Sequence, residues 1–285
     1  MIQKLSIITI LALTIAGTLP AQEAAVIYVS APKFATPLIE KWISEYSSAN
    51  PSARIAVSAG REAGNTIVLT ASTDEGDVSD AVGRYAVLPV AHRDNTSLDA
   101  LRKKRLNAGR IAEIFFEQDI LADDRKADGA YNVTVYTASG ASPLPAAVAG
   151  HFGHEASELR GKKIAGDDIY LINAISRDKT GVCFNSLSYI YDTTSRRIKE
   201  DISVLPLDIS KEHSRVISTG GLDEVIALLE TTTIDLIPIR PLTFTIPANA
   251  PSAARHFIQW ILTEGQSFNH HYGFLSASSP APAPS

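Results

Sequence analysis

Residues 136–150, YTASGASPLPAAVAG, put small and hydroxyl-bearing residues where a strand gives way to a helix. A strand-like run over 132–137 leads into Ala138-Ser139-Gly140-Ala141-Ser142, then Pro143, Pro145 and an Ala-rich segment. Ser142 is a good N-cap, and a proline at the first helical position wastes no hydrogen bond, because the N–H it lacks would have had no partner. The pattern predicts a tight turn at a helix N-terminus, with backbone N–H groups and the Ser139 and Ser142 hydroxyls around it. Such a turn suits an oxyanion, because donors and the helix dipole converge there. The same residues also describe an ordinary capped strand-to-helix turn, and local sequence does not separate the two.

Other chemistry-bearing residues offer less. Cys183 is the single cysteine, so no intramolecular disulfide is available, and its setting in GVCFNS reads as a small buried hydrophobe. His151, His154 and Glu155 lack a third partner at metal-binding spacing and read as a polar loop. His270 and His271 are read as surface or partly buried positions on different faces. Asp123-Asp124 and Asp167-Asp168 read as solvated turns. The sequence has no G-x-S-x-G nucleophile elbow and no Gly-rich nucleotide loop. No catalytic residue, metal or cofactor is assigned.

The elements that must carry the turn follow from periodicity. The chain has 285 residues, 45% hydrophobic and 20% charged, enough for a large core or two domains. Its net charge of −5 supplies no field for nucleic acid, and the basic run RKKR at 102–105 reads as a solvated helix end. Strands are expected at 25–30, 54–58, 84–91 and 202–209, and an extended segment at 236–246, where Pro238 and Pro241 forbid a helix interior. Helices are expected at 38–49, 65–72, 107–116, 169–178 and 253–264, the last capped by Gly265, with strand then helix over 182–190 and a mixed segment at 221–230. Strand, helix, strand, turn, helix at the start implies parallel pairing and an α/β domain.

Both ends are distinctive. Lys4, the apolar run 5–16 and the small-residue stretch to Ala21 read as a signal peptide over 1–21, cleaved after Ala21. That run is short for a membrane span, and no cysteine near the junction offers a lipid anchor. A periplasmic location is expected. Residues 276–285, SASSPAPAPS, cannot build a core and read as a disordered tail.

Several stretches, in order, resemble the phosphate-binding protein of bacterial phosphate ABC importers. FATPLIEKWISE at 34–45 with Asn50-Pro51 resembles its first helix, and Gly60–Gly64 stands where it has a second glycine-serine turn. Residues 107–116 resemble the helix opening its second domain, and 135–141 its strand–SGT–helix element. PIRPLTFTI at 238–246 resembles its return segment, and 257–275 its C-terminal helix and closing Gly-Gln…Gly-Tyr motif. The resemblance covers about residues 25 to 275 and implies an α/β, two-lobed periplasmic-binding-protein-like (type II) fold with two crossover strands, near 89–95 and 235–241. Lobe one would be 25–92 plus 240–275, and lobe two 93–239. The anion would lie in the cleft, and the lobes would close by a hinge.

Carried over residue by residue, the resemblance implies a ligand shell of Phe34 and Ala35 amides, Arg61 in the second turn, and Ser139, Gly140, Ala141 and Ser142 in the third. Lys33, Gly60 and Asp80 are weaker candidates, Asp80 or Asp77 standing for the family's cleft aspartate. Lys33 replaces a hydroxyl, Ala141 a threonine, and the family's arginine before Ser139 is missing, since 135–138 reads VYTA. Losing a charged bidentate donor weakens anion binding unless Arg61 or Lys33 restores the charge; Arg61 is equally readable as a surface arginine paired with Glu62. The function expected is a monomeric exported solute-binding protein taking inorganic phosphate or a similar oxyanion to the membrane permease of an ABC importer, with no nucleic-acid partner. A diverged accessory or sensor protein, binding another ligand or none, and more remotely an exported hydrolase, are the alternatives.

Overall fold

The computed structural model describes residues 26–58, 60, 66–71, 81–116 and 132–278. The expected signal peptide, Arg61, Asp77, Asp80, Asp123 and Asp124 lie outside them.

The chain opens with β1 (Ile27–Ser30), a short 3-10 turn (Lys33–Ala35) and α1 (Thr36–Ala49). Leu38, Ile39, Trp42 and Tyr46 recur at helical spacing and form the buried face of α1. β2 (Ile55–Val57) then returns parallel to β1, and β3 (Thr66–Ala71) joins β1 on its other edge, also parallel. The helix expected over 65–72 is therefore a strand. Ile67, Leu69 and Ala71 are buried while Val68 and Thr70 are exposed, which is a period of two rather than 3.6.

β4 (Ala81–His92) is buried along its whole length, as its Val- and Leu-rich sequence requires of a central strand. Residues 81–86 pair antiparallel with β9 (Ile239–Thr245), Tyr85 standing opposite Arg240. Residues 87–91 pair antiparallel with β7 (Gly181–Ser186), and Val90–His92 also with β8 (Ile202–Val204). Between them come α2 (Leu98–Lys104), whose basic end is exposed, and α3 (Ala108–Phe115), capped by Asn107. β5 (Thr134–Ser139) runs parallel to β7 and to β6 (Lys162–Ala165). The described strands form one sheet in the order β2-β1-β3-β9-β4-β7-β5-β6, with β8 beside β4. β4 and β9 are the only described strands that carry the chain between its two arms.

Helices α4 (Leu144–His151), α5 (Ile169–Ile175) and α6 (Leu187–Ile190) pack on the β5–β7 arm. α7 (Lys211–Thr219) and α8 (Leu222–Thr231) follow. The region at 221–230, read as mixed, is helical; Leu222, Val225, Ile226 and Leu229 bury one stripe. α7, for which the sequence reading has no element, buries only Ile217, so its apolar signal is faint.

α9 (Ser252–Thr263) comes back to α1, where the Tyr46 and Phe257 rings meet at 5.2 Å. Gly265 is not its cap. It is buried in the following 3-10 turn, and its carbonyl accepts from Trp42 Nε1 at 2.9 Å. Leu275 then bridges to Arg84 of β4 through both backbone groups. The tail expected from 276 is anchored at its start: Ser276 N donates to Glu230 Oε1 at 2.6 Å, and Ala277 N to Gln266 Oε1 at 3.0 Å.

Candidate functional site

Three strands end at one place. The turns after β1, β5 and β6 line a single cavity of about 320 Å³. β1 belongs to one arm of the sheet and β5 and β6 to the other, so the cavity lies where the carboxyl ends of both sets converge, the usual position of ligands in open α/β sheets.

The first wall is Ala31–Phe34. Lys33 and Phe34 line the cavity, but Ala35 does not; it is fully buried, and its amide donates to the Pro32 carbonyl at 2.9 Å. The expected ligand role of the Ala35 amide is thus corrected, because the 3-10 turn has already used that N–H. Phe34 is fixed from below by Tyr85, at 5.1 Å between ring centroids, and by Phe274, stacked at 5.9 Å.

The second wall is the turn after β5, and Ser139, Gly140, Ala141 and Ser142 all reach the cavity. Gly140 holds φ 78°, a left-handed conformation that glycine takes without steric cost. Pro143, not Ser142, is the N-cap of α4, and the Ser142 hydroxyl accepts from Leu144 N at 3.1 Å. The helix starts one residue later than expected because the serine bonds two residues ahead in a local turn.

The third wall was misread from sequence. Asp167 and Asp168 form no solvated turn. Both line the cavity, and Asp168 is only 7% exposed. Asp167 accepts from the Tyr189 hydroxyl at 2.6 Å and from Ile169 N at 3.1 Å. The backbone carbonyl of Asp168 accepts from Asn185 Nδ2 at 2.8 Å, which ties the turn to β7. Burial pushes the Asp168 carboxyl up to about 6; the nearby Ser142 hydroxyl opposes that shift, and the Asp167 charge adds to it. Among the described residues, Asp168 Oδ1 and the Tyr85 hydroxyl are buried without a hydrogen-bond partner. Buried polar atoms are nearly always partnered, and of these two Asp168 belongs to the cavity lining. Nothing local distinguishes Asp168 from an exposed Asp-Asp turn; its burial comes from β7 and the β5 turn, distant in sequence.

The remaining candidates separate. Gly60 is described but does not line the cavity. Arg61 and Asp80 fall outside the described residues. Among the described lining residues Lys33 is the one cation, beside the carboxylates of Asp167 and Asp168 in the same lining. His154 stacks on Phe116 at 4.1 Å, away from the cavity, and His270 Nε2 lies 2.9 Å from Glu230 Oε1. Cys183 is fully buried in β7. Among the described residues no group of three His, Cys, Asp or Glu side chains is placed to hold a metal ion, and no helix is long and apolar enough to cross a membrane.

No family model matches the chain, and no curated protein matches it in sequence. Solved structures do match it. A protein described as a phosphate ABC transporter substrate-binding protein, with bound phosphate, from Clostridium perfringens is 15% identical, covers 88% of this chain and 99% of its own, and superposes with a TM-score of 0.60. An ABC-type phosphate transport receptor from Vibrio cholerae is 14% identical over 87% of this chain and 99% of its own, with a TM-score of 0.56. The OxyR2 regulatory domain from Vibrio vulnificus is 11% identical over 86% and 98%, with a TM-score of 0.51. These neighbours are a binding protein, a transport receptor and a regulatory domain, so the fold alone does not fix the task. With its sheet running through β4 and β9 and its cavity at the carboxyl ends of both arms, the chain has the α/β periplasmic-binding-protein-like fold of type II.

Proposed function

We propose that this chain is an exported solute-binding protein that captures an inorganic oxyanion, phosphate first, and presents it to the membrane permease of an ABC importer. The observation that carries the reading is the convergence of Lys33 and Phe34 with Ser139, Gly140, Ala141, Ser142 and Asp168 around one cavity. The resemblance in sequence to phosphate-binding proteins, and the phosphate-binding descriptions of the Clostridium perfringens and Vibrio cholerae structures, support the same ligand. Hydroxyls, backbone N–H groups and the N-terminus of α4 replace the hydration shell of the anion. Asp168 takes the part expected of Asp80 or Asp77. Ionised, it accepts a hydrogen bond from a protonated oxyanion; as the acid, it donates one. The lobes are 25–92 plus 240–275 and 93–239, hinged on β4 and β9, and residues 1–21 direct export and are removed.

Calorimetric titration of residues 22–285 with phosphate, sulfate and molybdate tests the reading. The expected result is saturable 1:1 heat with at least phosphate. Absence of heat and of any thermal shift with all of them overturns it.

One observation favours a second reading, a diverged accessory or sensor protein with another ligand. The described cavity carries two carboxylates against one lysine and has no arginine, a poor balance for an inorganic dianion. A strong phosphate isotherm argues against this alternative.

A further inference from the structure

Phe34 lines more than one cavity. A second one, of about 270 Å³, is lined by Phe34 and Pro37 from one arm and by Ile169, Tyr189 and Lys199 from the other, with Tyr272. The two are directly continuous in residues: Phe34 lines both, Ile169 follows Asp168, and the Tyr189 hydroxyl bonds Asp167 of the first. A single water takes about 30 Å³ of liquid volume, whereas small organic ligands occupy sites of about 300–1,000 Å³. A five-atom oxyanion fills a fraction of the first compartment and none of the second.

The lining of the second compartment is specific. Phe34 supplies apolar ring surface, and Tyr189 and Tyr272 supply rings that also carry a hydroxyl. Lys199 is partly buried, and burial lowers its basicity. Among the described residues its ammonium makes no hydrogen bond and no ion pair. Asp192, the carboxylate that shares the cavity, is exposed and spends its Oδ1 on the amides of Thr194 and Ser195, at 3.2 and 2.7 Å. The Asp192 charge supports the Lys199 ammonium without a direct ion pair, and an anionic ligand group in contact with it offsets the cost of partial burial more fully.

We propose that the ligand is a phosphate monoester of a small organic acid. Its phosphate group lies against Lys33 and the Ser139–Ser142 turn, its carbon chain passes Phe34 between the tyrosine rings, and its carboxylate meets Lys199. This rests on the oxyanion reading of the first cavity and puts an esterified phosphate where that reading has the inorganic ion. A charged group at Lys199 adds a charge-assisted hydrogen bond that inorganic phosphate cannot make.

The test is calorimetric titration of residues 22–285, wild type and Lys199→Gln, with inorganic phosphate, glycerol 3-phosphate and 3-phosphoglycerate. The expected order is 3-phosphoglycerate tightest, at least tenfold over inorganic phosphate, with glycerol 3-phosphate between them. Lys199→Gln lowers affinity for 3-phosphoglycerate about tenfold and leaves inorganic phosphate unchanged. An unaltered thermal midpoint and circular dichroism spectrum establish that the variant is folded; if it is not, Lys199→Met, which keeps the length of the stem, replaces it. Inorganic phosphate binding as tightly as the esters, or 3-phosphoglycerate insensitive to Lys199, overturns the proposal while leaving the oxyanion site standing. Failure of all three ligands to bind also overturns the proposal, and it overturns the oxyanion site itself when sulfate and molybdate fail as well.

Discussion

At Asp168 an acid is set where water is largely excluded, and its proton is coupled to folding. Its carboxyl is raised from 3.8 to about 6, burial being the main cause. A raised acid holds its proton more tightly folded than unfolded, so stability falls as pH rises through that interval and the penalty is complete above it. Two units correspond to at most about 3 kcal/mol. Asp168→Asn is therefore expected to stabilise the protein by about 1–3 kcal/mol at pH 8 and by nothing below about pH 4, as read by urea denaturation. An equal effect at both pH values contradicts the burial argument. Ligand choice follows the same proton. Sulfate carries no proton in this range, so its affinity rises as pH falls through about 6 in the wild type and stays flat in Asp168→Asn. The Ser139–Ser142 turn was suggested by a local signal, small residues and prolines beside a strand, whereas Phe34 was named only by the resemblance. Asp168 was not legible, because Asn185 and the β5 turn bury it from far away in sequence.

The elements that position these residues depend on a few constrained contacts. Gly140 at φ 78° has nothing within 4 Å of an added Cβ, so Gly140→Ala meets only the left-handed backbone penalty, about 1–2 kcal/mol. Chemical denaturation reads that cost; a neutral result would mean that the turn relaxes into another conformation. At the junction of α1 with the turn after α9, Trp42→Phe removes the indole donor to the Gly265 carbonyl, which is left only its bond inside the 3-10 turn. The expected loss is about 1–3 kcal/mol, and a loss below about 0.5 kcal/mol would mean that another donor reaches that oxygen. Long elements with one strong period, α1, β4 and α9, could be read from sequence. β3 was mistaken because a six-residue run following a glycine turn was matched to a helix although its apolar residues alternate. α7 was missed because one buried residue makes no stripe.

Across the whole molecule, β4 and β9 pair through Ala86–Ile239, Tyr85–Arg240 and Arg84–Pro241 and link two arms whose strand ends face one cavity. The sequence order of strands and helices, with the resemblance, carried this topology; the pairing of β3 with β9 could not be read, since it joins segments far apart in the chain. A ligand held by both arms favours the closed arrangement by its differential affinity. Solution scattering is expected to give a smaller radius of gyration with saturating ligand, and an unchanged value would separate binding from closure. Saturation at a hundred times Kd is also expected to stabilise the fold by about 2.7 kcal/mol. The most direct test of the account is where the anion sits. Arsenate is a tetrahedral analogue of phosphate with a strong anomalous signal, and a crystal soaked in it reports position without interpretation. The account predicts one anomalous peak in the cavity, between Phe34 and the Ser139–Ser142 turn and within reach of Asp168. A peak elsewhere, or a cavity that stays free of arsenate while the protein is saturated in solution, would contradict it.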